Sequence, residues 1–401
     1  MATAKRRGGP KPEQKRQAGP RPSRAAAGRV DLFVATRKGA FVLRGDPHRK
    51  SWKIEGPHFL GNETNHLVRD PHAGKTWLLA AKTGHLGPTV FRSTDAGQSW
   101  TEARRPPAFP KAPEGQDGPA VGRVFCLVPG HPTQPNVWWA GIVPHALFRS
   151  EDGGASWDLV RGFTEFVAGL EAKVPGRFNP TPGGAITHSI LVDPRDPSHL
   201  YVSLSTGGFF ETGDGGAKWR PLNEGVSADF LPDPHPEFGQ DPHCAVLSPT
   251  NPDRLYQQNH CGVYRLDRPG TRWERIGKNL PVSVGDIGFP IAVHPRNPDT
   301  VWVFPMDGTS VWPRTSPGGR PAVFRSRDGG RGWTRQSRGL PDRQGWFTVF
   351  RQAMTCDTAD PVGLYLGTTG GEIWASGDEG ASWRQIASHL PEVLAISVAE
   401  Q

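Results

Sequence analysis

Short apolar runs separated by tight polar turns recur along nearly the whole chain, and they follow one another in a fixed order. One unit is an apolar strand, a Pro-rich turn and a second apolar strand, as in Ser189–Leu204 (SILVDPRDPSHLYVSL), Ala245–Asn259 (AVLSPTNPDRLYQQN) and Ile291–Phe304 (IAVHPRNPDTVWVF). A second unit follows it: aromatic, small or basic residue, Ser/Thr, x, Asp, x, Gly, x, x, Trp. Strong copies are Phe91–Trp100, Phe148–Trp157, Phe210–Trp219, Phe324–Trp333 and Trp374–Trp383, and Leu43–Trp52 and Tyr264–Trp273 are weaker ones. The seven terminal Trp residues lie 48 to 62 positions apart. That period suits one four-stranded blade per copy, read as strand A, Pro turn, strand B, loop, strand C, Asp turn and strand D.

The pattern therefore predicts an all-β chain, a seven-bladed β-propeller of four-stranded antiparallel blades. It begins at Val30–Ala35 (VDLFVA), which matches a strand B, and ends at Val393–Val398 (VLAISV), which matches a strand A. The C-terminal strand is thus expected to complete the first blade and close the ring, removing an open sheet edge. Within each turn Gly supplies a positive φ and the Asp carboxylate accepts turn N–H groups. Asp95, Asp152, Asp214, Asp328 and Asp378 are accordingly structural.

Composition changes this picture little. Fifty Gly and 41 Pro agree with many short strands and turns. The net charge of +8 resides in residues 1–29, which carry nine basic side chains against Glu13 alone. That segment reads as a disordered, basic, Pro/Gly/Ala-rich tail ahead of a 30–401 propeller. Any contact with nucleic acid would run through this tail. Four Cys make no disulfide framework, and no apolar run suggests a secretory leader or a membrane span, so a cytoplasmic location is expected.

The repeated Asp turns resemble those of the Asp-box (BNR-repeat) propellers of the sialidase-like superfamily, a likeness shared with WD40/YVTN/BNR-like repeat proteins. Seven blades make the architecture similar to photosystem II assembly-factor propellers and to single propellers of xyloglucanases. The resemblance implies the fold over about residues 30–400. It does not imply sialidase activity, which needs a Tyr nucleophile and an FRIP-like segment. No such segment occurs, and Tyr201, Tyr256, Tyr365 and Tyr264 all hold repeat positions.

Strand alternation puts the A–B turns and Asp boxes on one face, and the B–C loops and D–A connections on the other. The insertions 104–122, 162–185, 222–241, 306–322 and 337–347 all map to the second face, where function is expected. His188 and His243 align at equivalent strand A starts, His260, His145 and His85 lie in B–C loops, and His66 falls near the His188 register. One reading is a metal site of His188, His243 and His260, with His145 or His66 added, holding Cu, Fe or Zn. The other is that these imidazoles hydrogen-bond loops or a ligand; Cys244 and Cys261 read as packing residues. Arg123 and Arg177 are candidates for an anionic group, and Trp312, Trp346 and His85 for other substrate contacts. Glu165, Glu171, Asp229, Asp233, Glu237 and Asp241 are candidate acid–base carboxylates. The leading expectation is a metal-assisted enzyme acting on a small molecule or peptide at the His-rich channel mouth, with no nucleotide cofactor. A non-catalytic ligand-binding or assembly scaffold and a glycoside hydrolase using loop carboxylates are the alternatives.

Overall fold

The structure is a computed structural model that describes residues 1, 28–178, 185–308 and 314–400. The proposed tail therefore lies almost wholly outside the described residues. Among those described, 28 strands form seven four-stranded antiparallel sheets, each built from consecutive strands except the first. In the first sheet Val393–Glu400 pairs with Val30–Thr36, with Leu32 opposite Val398 and Val34 opposite Ile396. The ring is closed by its C-terminal strand, as the sequence pattern requires. No described helix is long and apolar enough to cross a membrane.

The blades pack through apolar side chains on both faces of each sheet. Val34, Leu43, Trp302, Phe304, Leu364, Tyr365 and Ile396 belong to one buried cluster that runs from the sixth blade through the seventh to the first. The box turns hold together locally. Asp95 Oδ1 accepts the Ser93 hydroxyl at 2.7 Å and the Ser99 N–H at 2.9 Å, while Ser93 Oγ accepts Gly97 N–H at 2.8 Å. The Ser99 hydroxyl, which donates to Asp95 Oδ2 at 2.5 Å, leads the donors that lower the Asp95 carboxyl to about 2. Gly97 has φ +83°, and an added Cβ would stand 2.5 Å from the Trp77 ring, so only glycine serves there. The same Ser/Thr–Asp contact recurs at Asp152, Asp214, Asp328 and Asp378. Box and A–B turn touch on one face, as where Gly215 N–H donates to Ser198 O at 2.8 Å.

One element departs from the sequence expectation of strands and loops. Arg161–Lys173, in the insertion after the third blade, is an α-helix that buries Phe163, Val167 and Leu170 against the fourth blade. Their 3–4-residue spacing is the usual helical stripe.

Candidate functional site

The inner strands of the fourth and fifth blades start alike. Thr187–Val192 and Pro242–Leu247 each pair with the next strand through a register shift, between Thr187 and Ser189 and between Pro242 and Cys244. His188 and His243 are the extra residues at these bulges, and a bulge re-aims the side chain it carries. In the second blade the shift lies between Thr64 and His66, so Asn65 holds that position and His66 falls one residue beyond it.

The two bulge histidines reach the same kind of partner with different nitrogens. His188 Nε2 lies 2.8 Å from Pro242 O, and its Nδ1 lies 2.9 Å from Ser189 Oγ. Both nitrogens are engaged by protein. His243 instead sets Nδ1 2.6 Å from Gly288 O. A carbonyl can only accept, so Nδ1 carries a proton, and Nε2 makes a long contact with Asp241 Oδ2 at 3.3 Å. His260 follows strand Arg254–Asn259, its N–H donating to Asp241 O at 2.9 Å and its Nδ1 standing 3.5 Å from Asp241 Oδ2. Asp241 Oδ1 accepts the Thr206 N–H at 3.1 Å.

Asp241, His243 and His260 thus form one cluster, whose donor atoms lie within 4.8 Å of one another. Burial favours the neutral acid at Asp241, but His243, His260 and Arg351 outweigh it and keep the carboxyl well below its ordinary range. Burial also lowers His243, against the pull of Asp241. Arg351, which the repeat pattern did not single out, lies 5.1 Å over the Phe289 ring, and its Nε is buried without a hydrogen-bond partner. A lone basic residue between apolar Phe350 and Ala353 was its only signal.

The other candidates stand apart from this cluster. His66 accepts Leu127 N–H at 3.0 Å and meets Ser397 Oγ at 3.0 Å, and burial lowers its pKa to about 4. His145 packs 5.4 Å from the Phe178 ring, and His85 is exposed. Arg123 is paired with Glu63 at 2.9 Å, while Arg177 lies 6.0 Å over the Phe238 ring. Trp346 is 56% exposed on its loop and Phe230 46%, the latter 5.4 Å from the His260 ring. Trp312 lies outside the described residues. Glu171 is bound to the Gly176 and Phe178 N–H groups and Asp233 to that of His235, whereas Glu165, Asp229 and Glu237 are exposed. All four cysteines are free, and burial pushes the Cys244 thiol up to about 11.

An axial channel of about 550 Å³ is lined by the inner strands of all seven blades. It reaches from His66, His188 and Arg351 to the prolines of the A–B turns, Pro132, Pro194 and Pro249. The channel therefore extends to the face of the A–B turns, opposite the long insertions.

No family model matches the chain. Its sequence is similar to xyloglucanases. Xyloglucanase Xgh74A of Acetivibrio thermocellus is 24% identical over 339 residues, covering 76% of this chain and 36% of that protein. A xyloglucanase of Paenibacillus sp. is 25% identical over 355 residues, covering 79% and 31%. This chain spans about a third of the length of these relatives. Among solved structures, the GH74 xyloglucanase of Xanthomonas campestris superposes with a TM-score of 0.60 at 19% identity, over 91% of this chain and 54% of that one. That likeness concerns the fold. The sequence relatives correct the expectation of a metal-assisted enzyme acting on a small molecule or peptide, and they favour the glycoside-hydrolase alternative. A convergence of aligned imidazoles does not by itself identify a substrate.

Proposed function

We propose that this chain is a glycoside-hydrolase-type propeller of the Asp-box kind that acts on a glucan polysaccharide at the face bearing the B–C and D–A loops. The observation that carries this reading is the similarity to xyloglucanases over three quarters of the chain. The loop face has the chemistry it needs. Trp346 and Phe230 offer exposed rings on which sugar rings stack. Glu165, Asp229 and Glu237 are exposed carboxylates of the long insertions. Glycoside cleavage takes two such groups, one protonating the leaving oxygen and the other activating water or attacking the anomeric carbon.

The test is release of new reducing ends from xyloglucan and from a mixed-linkage glucan by the purified chain. Cleavage is expected, and Asp229→Asn or Glu237→Gln is expected to lower it by at least about 100-fold, the usual weight of one acid or base. Binding without new reducing ends would leave a glycan-binding ring and refute hydrolysis. Cleavage unchanged in both variants and in Glu165→Gln would refute the assignment to these loops.

A further inference from the structure

We propose that Asp241, His243 and His260 bind one divalent transition-metal ion, zinc or copper, at the loop end of the fifth blade. The site is argued as a binding site, and it stands whether or not the ring cleaves a glycan.

The spacing is the first argument. The two contacts of Asp241 Oδ2, 3.3 Å to His243 Nε2 and 3.5 Å to His260 Nδ1, are long for charge-assisted hydrogen bonds, which settle near 2.7–2.9 Å. Two ligand atoms each about 2.1 Å from a tetrahedral ion stand about 3.4 Å apart. These two separations match an edge of that tetrahedron, and the two imidazole nitrogens lie within 4.8 Å of each other.

Orientation is the second. Metal-bound imidazole usually donates its other N–H to a carbonyl or carboxylate, which fixes the ring and its tautomer. His243 has that arrangement, with Nδ1 on Gly288 O at 2.6 Å and Nε2 aimed at Asp241. Asp241 is likewise oriented, its Oδ1 taken by the Thr206 N–H. His188 is the internal contrast. It occupies the same bulge position in the preceding blade, but its nitrogens meet a hydroxyl at 2.9 Å and a carbonyl at 2.8 Å rather than the carboxylate of a second ligand.

Access and selectivity follow from the third ligand and the charge nearby. The His260 side chain is 35% exposed, so the cluster is reached from solvent through this ligand. Arg351 places a positive charge close enough to act on both Asp241 and His243. A hard ion held by charge alone, such as Ca²⁺ or Mg²⁺, is disfavoured there. An ion that bonds imidazole nitrogen well is the one this donor set selects.

The experiment uses the untagged full chain, stripped with EDTA and titrated with Zn²⁺, Cu²⁺, Ca²⁺ and Mg²⁺ by calorimetry, with elemental analysis of the dialysed product. One Zn²⁺ or Cu²⁺ per chain is expected, with no stoichiometric Ca²⁺ or Mg²⁺, and Co²⁺ should give the visible bands of a tetrahedral site. Asp241→Asn and His260→Ala should weaken binding by more than the roughly 100-fold that loss of an outer partner costs. His145→Ala, on another loop, should bind as the parent does. His260 is partly exposed, so its variant keeps the test valid if a buried substitution unfolds the blade. Absence of stoichiometric Zn²⁺ and Cu²⁺ would overturn the site and leave a buried imidazole–carboxylate pair. Equal affinity in His260→Ala, or equal binding of Ca²⁺, would overturn it as well.

Discussion

Substitution of Arg49 tests how the ring is locked at its seam. Arg49 lies in the turn between strands Gly39–Gly45 and Trp52–His58 of the first blade, and Asp357 follows the inner strand Met354–Cys356 of the seventh. Arg49 Nη1 meets Asp357 Oδ2 at 2.8 Å, with side chains 9% and 0% exposed, and Nη2 donates to Pro361 O at 2.9 Å. The remaining valences of Asp357 are filled by Tyr365 OH at 2.8 Å and by the Gly363 and Ala359 N–H groups. Arg49→Met keeps most of the stem and removes the charge. With charge centres about 4 Å apart and an effective dielectric constant of about 20, the lost attraction is about 4 kcal/mol. Breaking a buried pair by removing one partner costs about 3–5 kcal/mol. A loss of about 3 kcal/mol is expected, since three neutral donors still serve the carboxylate. At about 2 °C per kcal/mol for a chain of this size, the Tm should fall by about 6 °C. Asp357→Asn in the same chain should recover at least half of that loss, because no charge is then stranded. Urea unfolding of the four members of this cycle reads both effects. A single variant within about 0.5 kcal/mol of the parent, or a cycle without coupling, would refute the claim that this pair locks the seam.

Two further outcomes follow from local geometry. His199 sits between Glu211 Oε1 at 2.8 Å and Asp193 Oδ2 at 3.1 Å, and these carboxylates, Glu211 foremost, raise its pKa despite partial burial and the nearby Arg195, Arg220 and Arg268. A raised folded-state pKa gives stability that is complete below the unfolded value of about 6.5 and is lost as pH rises through the folded value. Chemical denaturation should therefore show stability falling as pH climbs from 6 through that value, and His199→Gln should flatten this slope; an unchanged slope would refute the pairing. Gly339 has φ +90°, and an added Cβ would lie 2.0 Å from Trp383 O. Gly339→Ala should cost about 2–4 kcal/mol by thermal denaturation, and an unchanged Tm would show that the loop re-folds around it.

The fold was legible because its signals are local. A Ser/Thr, an Asp and a Gly at fixed offsets make a turn by themselves, and an unpaired strand at each end of the chain implies closure. The helix at Arg161–Lys173 was hidden by its position in an insertion between repeats, although Phe163, Val167 and Leu170 carry a helical stripe. The cluster of Asp241, His243 and His260 was legible only in part. Repeat alignment brought out the two histidines but grouped them with His188 and read Asp241 only as a possible acid or base. What separates His188 from His243 is the ring nitrogen each turns toward the next blade, and no strand pattern specifies that. The neighbours do. Ser189 follows His188 and its hydroxyl takes Nδ1, whereas the equivalent residue after His243 is Cys244, a weak partner. Two positions before each histidine stand Ile186 and Asp241, an apolar side chain in one blade and a carboxylate in the other. The same bulge therefore yields a histidine held by a hydroxyl and a carbonyl where it is flanked by Ile and Ser. Flanked by Asp and Cys, it yields one whose Nε2 meets the Asp241 carboxylate at 3.3 Å. The residues beside the aligned position, and not the position itself, set the two blades apart.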